Sequence, residues 1–199
     1  MDDIKPIETY YNGYRFRSRL EARWAVFFDA MGIRYEYEPE GIMEGDTPYL
    51  PDFYLPEFHS FFEVKRDRFD MDQEAFDDAI KKISFGAHTN TFAGIIAFGD
   101  PVNDDLHIYC QEDDDCGGGS YSNEITIGIH PETKEPYLFA LHDGRERTFF
   151  PSFNDNKLIP MTTDEYRKYN YDDFVTEEVK QARYKARQAR FEHGEKPII

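Results

Sequence analysis

The stretch YLPDFYLPEFHSFFEVK, residues 49–65, decides how the chain folds. It holds two short runs rich in apolar and aromatic residues, joined by the turn-like PEFH, and therefore predicts a β-hairpin. If the turn has an even number of residues and is centred between Glu57 and Phe58, Asp52 pairs with Glu63 across the two strands.

Side chains alternate between the two faces of this predicted hairpin. The apolar face carries Phe53, Leu55, Phe62 and Val64. The ionic face carries Asp52, Glu63 and Lys65. Directly opposed residues have Cβ atoms about 4.5–5.5 Å apart, and like charges at that distance destabilise a sheet. A Mg²⁺ ion would compensate the two negative charges of Asp52 and Glu63, because Mg²⁺ takes oxygen ligands from one or two carboxylates and completes its shell with water and phosphate.

Lys65 lies two residues beyond Glu63 on the same face. Beside a cation it would orient or activate the attacking water, or stabilise charge that develops on a phosphate. The ionic face therefore indicates phosphodiester hydrolysis. The alternative is a solvent-facing ionic strand, because half-exposed antiparallel sheets alternate in this way. A turn with an odd number of residues would also change the register.

Regular elements are predicted on both sides of the hairpin. Helical periodicity predicts a helix over Ser18–Met31, and period-two alternation predicts a strand over Arg34–Glu38. An amphipathic helix is expected over Asp72–Ser84, followed by a buried strand over Phe92–Phe98.

The composition changes after residue 100. A strand is predicted over Leu106–Cys110, an acidic, glycine-rich loop over residues 111–123, and a further hairpin over residues 125–144. The chain is expected to end with a helix over Glu177–His193.

These elements divide the chain into three predicted parts. Residues 1–104 form a core, residues 105–175 an acidic β-rich extension packed on it, and residues 176–199 a basic C-terminal helix and tail. Residues 101–175 hold 16 acidic and 6 basic residues, so more than half of the excess negative charge lies outside the core.

Pro51-Asp52, ten residues, then Glu63-Val64-Lys65 resembles the PD-(D/E)xK motif of the restriction-endonuclease-like nuclease superfamily. The predicted order of helix, hairpin, helix and buried strand resembles the core of that superfamily. The stretch YRFRSRLEARWAVFFDAMGIRYEYEPE, followed by YLPDFYLP and FFEVK, is similar to small phage and bacterial members. The resemblance covers roughly residues 10–100.

The resemblance implies an α/β (α+β) core with a mixed central sheet flanked by helices. It also implies a divalent-metal-dependent DNA nuclease, an endonuclease or a resolvase-like enzyme related to phages or mobile elements. Asp52 and Glu63 would be metal ligands, Lys65 the catalytic lysine and Glu21 an additional acid that also binds the metal. The implied ion is Mg²⁺, with Mn²⁺ as a substitute. Glu21 has another interpretation, because Ser18-x-x-Glu21 is a capping box.

The net charge of −17, from 23 basic and 40 acidic residues, argues against DNA binding through bulk charge. In the layout that the resemblance implies, local groups of basic residues would lie near the proposed site, and we expect them to contact DNA phosphates. They are Arg15, Arg17, Arg19, Arg23, Arg66 and Arg68. The alternative is pairing with acidic neighbours such as Asp29, Glu36 and Glu38.

Two parallel stripes are predicted on the C-terminal helix. The small-residue stripe is Val179, Ala182, Ala186 and Ala189, and the basic stripe is Lys180, Arg183, Arg187 and Arg190. Small residues favour close packing, so the helix is expected to dock on the rest of the chain with the basic stripe at the edge. A contact with DNA and a contact between two copies are the alternatives.

The sequence has no apolar run of membrane-spanning length and no N-terminal signal pattern. We therefore expect a cytoplasmic protein, in the host cytoplasm if it is phage-encoded, with no membrane partner. The expected partner is DNA, while a homodimer and a protein partner for the acidic extension stay open. The alternative function is a catalytically inactive nuclease-fold protein that acts as an acidic interaction or inhibitor protein.

Overall fold

A computed structural model of the chain describes residues 6–39, 42–44, 47–67, 93–111, 120–140, 149–152, 157–160 and 168–191. The strands are β1 (Thr9–Tyr11), β2 (Tyr14–Phe16), β3 (Glu36–Tyr37), β4 (Ile42–Glu44), β5 (Thr47–Tyr49), β6 (Phe53–Leu55), β7 (Ser60–Lys65), β8 (Ala93–Phe98), β9 (Asp105–Gln111), β10 (Ser120–Ile129), β11 (Pro136–Ala140), β12 (Phe149–Ser152) and β13 (Lys157–Pro160). The helices are α1 (Arg19–Met31), α2 (Tyr171–Phe174) and α3 (Glu177–Gln188), with a 3₁₀ turn over Pro56–Phe58.

A seven-stranded mixed sheet is the main element, in the order β11-β10-β9-β8-β7-β6-β3. β7 and β8 are parallel, and the other neighbouring pairs are antiparallel. The expected combination of helices with a mixed sheet is therefore confirmed. A parallel pair needs a long crossover connection. The helix predicted over Asp72–Ser84 falls in this connection and lies outside the described residues.

The hairpin of β6 and β7 has the predicted register. Phe53 pairs with Phe62, and Leu55 pairs with Ser60. Phe53, Leu55 and Phe62 are fully buried. Because the period of a strand is two, this register sends Glu63 to the opposite face from Phe62.

The helix predicted over Ser18–Met31 is confirmed as α1. Ser18 is its N-cap and accepts a hydrogen bond from the Glu21 amide, while Gly32 ends the helix with a left-handed φ of 69°. The α1 ring of Trp24 lies 4.9 Å from the ring of Phe62 on β7. The Trp24 Nε1 also donates to the carbonyl of Gly99 at 2.9 Å. α1 is thereby attached to the strands that carry the candidate site.

The predicted strand before the hairpin and the predicted acidic loop have different bounds in the structure. β3 is shorter than the predicted strand Arg34–Glu38, because Glu38 has a left-handed φ of 45°. The predicted loop over residues 111–123 contains strand residues at both ends, since Ser120 pairs with Gln111. Pairing between strands overrides the turn-forming composition of that segment.

The C-terminal helix is also shorter than predicted. It ends at Gln188 instead of His193, and Ala189 has a non-helical ψ of 120°. Phe191 then meets the ring of Tyr11 edge-on, with centroids 6.1 Å apart. The chain therefore leaves the helix where it packs against β1.

The segment predicted as an extension continues the same sheet. β9 pairs with β8, and the predicted hairpin is present as β10 and β11 as far as Ala140, while its residues 141–144 lie outside the described residues. Phe174 of α2 stacks on Phe139 of β11 with ring centroids 4.3 Å apart. The division of the chain near residue 104 stays a prediction. Within the described parts of the chain, no helix is both long enough and apolar enough to cross a membrane.

The docking predicted for α3 is confirmed for its small-residue stripe. Val179, Ala182 and Ala186 are buried in the main core. Within the basic stripe predicted at the edge, Lys180 is exposed, whereas Arg183 lies in the interior and is 6 % exposed. Its guanidinium donates to Asp104 Oδ1 at 2.7 Å. The Asp104 carboxylate, whose side chain is 12 % exposed, pairs with Arg183, and the spacing along α3 does not reveal this partner.

Arg183→Met should destabilise the protein by about 3–5 kcal/mol, because it leaves Asp104 buried without its ion-pair partner. Urea denaturation measures this loss. Lys180→Met, at an exposed position of the same helix, is the matched control and should stay within about 0.5 kcal/mol of the wild type. A loss in Arg183→Met no larger than that of the control would contradict this role of Arg183.

Candidate active site

Asp52 and Glu63 lie opposite each other where β6 begins, as the hairpin predicts. The Asp52 amide donates to Glu63 Oε2 at 3.3 Å, and the Val64 amide donates to Asp52 Oδ2 at 2.7 Å. Asp52 is 4 % exposed and Glu63 is 7 % exposed. Two carboxylates are thus held together with little water around them.

Glu21 joins this pair from the first turn of α1. Its amide donates to Ser18 Oγ at 3.2 Å, which is the N-cap half of the predicted capping box, and its carboxylate Oε1 accepts from the Ser18 hydroxyl at 2.7 Å. Its carboxylate accepts from the Arg17 amide at 3.0 Å and from the Tyr37 hydroxyl at 2.7 Å. The negative charge of Glu21 also raises the pKa of Asp52. Glu21 therefore takes part in the N-cap of α1 and lies near Asp52, while its role as a metal ligand stays a prediction.

Two tyrosines donate to the carboxylates. Tyr37 of β3 donates to Glu21, and Tyr49 of β5 donates to Glu63 Oε2 at 2.8 Å. Burial, together with the neighbouring carboxylate, raises the pKa of each hydroxyl above its ordinary value. Both tyrosines are consequently protonated near neutral pH and serve as fixed donors.

Two cations complete the site. The Arg17 guanidinium bonds to Asp52 Oδ1, and its Nε lies 2.9 Å from Glu38 Oε1. Lys65 Nζ lies 2.6 Å from Glu63 Oε1. Arg17 precedes α1 and Lys65 ends β7, so the two positive charges approach the carboxylates from different elements.

The pKa of Asp52 is raised to about 8. Burial is the main cause, and the charges of Glu63 and Glu21 add to it, while the Val64 amide and Arg17 act in the opposite direction. If Glu21, Asp52 and Glu63 were all ionised, they would carry more negative charge than the two cations neutralise, and the raised pKa of Asp52 reflects this excess. An additional positive charge would favour the ionised form of Asp52.

The donor set suits a hard divalent cation, since it consists of carboxylate oxygens with excess negative charge. Each oxygen of Glu21, Asp52 and Glu63 already accepts at least one hydrogen bond or ion pair. In this arrangement no three His, Cys, Asp or Glu side chains of the described segments form a group that could hold a metal. A bound cation would have to share these oxygens with existing partners or displace some of them.

The arginines predicted to contact DNA are distributed around several carboxylates. Arg15 pairs with Glu8, and Arg23 Nη1 lies 3.5 Å from Asp100 Oδ2. The predicted alternative, pairing with an acidic neighbour, is confirmed for Arg17 by its contact with Glu38. The remaining members are Arg19, which is half-buried, Arg66, which is exposed, and Arg68, which lies outside the described residues. DNA contact by these arginines stays a prediction.

Sequence reasoning missed the two tyrosine donors and the contact between Arg17 and Asp52. Tyr37 lies in a period-two run that predicts only a strand, and Tyr49 begins the stretch that defines the hairpin. Arg17 and Asp52 are 35 positions apart. No local spacing rule connects residues at such a separation. The one signal in the sequence is that Arg17 directly precedes the predicted helix, whose first turn contains the acidic residue Glu21.

The chain matches no protein-family model, no curated protein and no solved structure. A fold alone does not define an activity. What the site can do chemically therefore depends on the residues that it brings together.

Asp52→Asn should change how the stability of the metal-free protein depends on pH. Asp52 ionises near its ordinary pKa of about 3.9 when unfolded and near 8 when folded, so the folded state binds the extra proton between these values. The free energy of unfolding of the wild type should therefore fall relative to Asp52→Asn as pH rises from about 4 to 8. Urea denaturation in a chelator at several pH values measures the difference.

Glu132→Gln is the control for this measurement. Glu132 is exposed, and its hydrogen bond with Lys168 lowers its pKa from the ordinary value of 4.5, so above about pH 6 it is ionised in both the folded and the unfolded state. From about pH 6 to 8 the variant should keep the wild-type pH dependence. The same pH dependence in Asp52→Asn and the wild type would be inconsistent with a raised pKa at Asp52.

Proposed function

We propose that this protein is a divalent-metal-dependent DNA nuclease of the PD-(D/E)xK type, an endonuclease or a resolvase-like enzyme. The observation that supports it most is the position of Lys65 beside Glu63, with Asp52 across the hairpin and Glu21 from α1. The order of α1, the β6–β7 hairpin and the parallel strand β8 resembles the core of that superfamily and adds support.

Glu21, Asp52 and Glu63 are the residues that would hold Mg²⁺ or Mn²⁺. When bound, the ion supplies Lewis-acid polarisation of the phosphodiester and lowers the pKa of water. The chain's own contribution is positioning. The Val64 amide holds Asp52, the Tyr49 hydroxyl holds Glu63, and Ser18 holds Glu21.

Lys65 is the proposed catalytic residue. Its side chain is 29 % exposed, and its Nζ lies 2.6 Å from Glu63 Oε1, so Lys65 reaches both the carboxylate and solvent. A cation in this position can orient the attacking water or stabilise negative charge that develops on the phosphate. Arg66, exposed at the end of the same strand, would contact the DNA backbone without reading its sequence.

A second candidate function is an acidic interaction or inhibitor protein that uses the same fold without catalysis. Its support is that the carboxylate oxygens already have protein partners and that the net charge is −17. The two candidates differ in whether a divalent ion binds and whether DNA is cut.

Cleavage of plasmid, branched and single-stranded DNA should require Mg²⁺ or Mn²⁺ and stop when a chelator is added. Lys65→Met should lower the cleavage rate by about a hundredfold or more, because the charge at the reacting phosphate is lost. Asp52→Asn should have a similar effect, because it removes a metal ligand. Gel-based assays of folded variants, checked by circular dichroism, measure these rates.

Lys168→Met provides a matched control, since Lys168 also pairs with a glutamate, Glu132, but on an exposed surface away from the β6–β7 hairpin. It should cut DNA at the wild-type rate. Cleavage without a metal ion, or cleavage by Lys65→Met at the rate of this control, would rule out the proposed mechanism.

A further inference from the structure

Arg17 contacts several residues of the candidate site through both its main chain and its side chain. Its backbone amide donates to Glu21 Oε2 at 3.0 Å and lies 2.9 Å from the Tyr37 hydroxyl. Its guanidinium bonds to Asp52 and Glu38. The main chain of Arg17 is thus fixed at one carboxylate while its side chain neutralises two others.

The guanidinium of Arg17 bonds to one of the two carboxylate oxygens of Asp52. Asp52 Oδ2 accepts from the Val64 amide, and Asp52 Oδ1 accepts from Arg17. The Val64 amide belongs to β7 and cannot leave without breaking the sheet. A cation that binds Asp52 through its other oxygen must therefore share or take the position of Arg17.

The side chain of Arg17 is free to leave. It is 53 % exposed, whereas the side chain of Asp52 is 5 % exposed. Water can solvate the guanidinium when it leaves, but the buried Asp52 carboxylate would lose its partner unless another cation takes its place. Rotation of the side chain toward solvent also needs no change in the main chain, which stays bonded to Glu21.

We infer that Arg17 is a resident counter-ion of Asp52 that a divalent cation must displace before it can bind. This inference rests on the proposed function, because the displacing cation is the metal ion of the proposed nuclease. It also explains how three neighbouring carboxylates can lie close together in the metal-free protein, since a positive charge offsets part of their mutual repulsion. Arg17 and Lys65 together carry two positive charges, equal to the charge of one divalent ion.

Binding of Mn²⁺ to the metal-free, full-length protein tests the inference, with isothermal titration calorimetry as the readout. Arg17→Gln should bind Mn²⁺ roughly three- to tenfold more tightly than the wild type, because the competing ion pair is gone. Arg17→Met repeats the test with an apolar side chain. Arg17→Lys keeps the positive charge and should stay closer to the wild type.

Arg34→Gln is the matched control. Arg34 also pairs with a glutamate, since its Nε lies 2.6 Å from Glu57 Oε1, and it is more exposed than Arg17. Its loss should leave the affinity for Mn²⁺ unchanged. Urea denaturation gives a second readout: Arg17→Gln should be less stable than the wild type without metal, and the difference should shrink at saturating Mn²⁺.

The outcomes separate this inference from the proposed function. If the wild type binds Mn²⁺ and folded Arg17→Gln binds it equally or more weakly, the counter-ion role is overturned and the nuclease proposal stands. If Arg17→Gln binds Mn²⁺ more tightly but the wild type never cuts DNA, the counter-ion role is supported and only the nuclease proposal fails. If none of these proteins binds Mn²⁺, both are overturned.

Discussion

Burial of Asp52 opposite Glu63 is the constraint around which the candidate site is arranged. Two like charges in a region with little water repel each other, and burial alone disfavours their ionised forms. Donors from several elements offset this cost: the guanidinium of Arg17, the ammonium of Lys65, the hydroxyl of Tyr49 and the Val64 amide. Such a concentration of donors is expected where buried carboxylates must stay together.

The apolar face of the hairpin holds this charged arrangement in position. Phe53 and Phe62 are paired across the two strands and are fully buried. Trp24 and Phe28 of α1 pack against Phe62, with ring centroids 4.9 and 5.2 Å away. A slip of one residue would put Glu63 into this aromatic core. The cost of that burial keeps the register, and the register keeps the carboxylates together.

The same packing determines where the start of α1 lies. Ser18 caps the helix, so Arg17 comes directly before the cap and Glu21 lies in the first turn. Residues 17–21 therefore place the guanidinium of Arg17 on Asp52 and the carboxylate of Glu21 near it. In a protein with a net charge of −17, the basic residues nearest the site bind carboxylates of the chain itself. Local pairing, more than total charge, decides which arginines remain available to a phosphate.

The sequence by itself determined the elements and the faces of the hairpin. Periodicity and caps predicted α1 from Ser18, and alternation predicted that Asp52 and Glu63 share a face, because both properties depend on residues close together in the chain. Only the tertiary structure decided the partners. Arg17 reaches Asp52, Tyr49 reaches Glu63 and Arg183 is buried on Asp104 because distant segments meet in the fold. Those contacts depend on how helices and strands pack in three dimensions, and the spacing of residues close together in the sequence does not predict that packing.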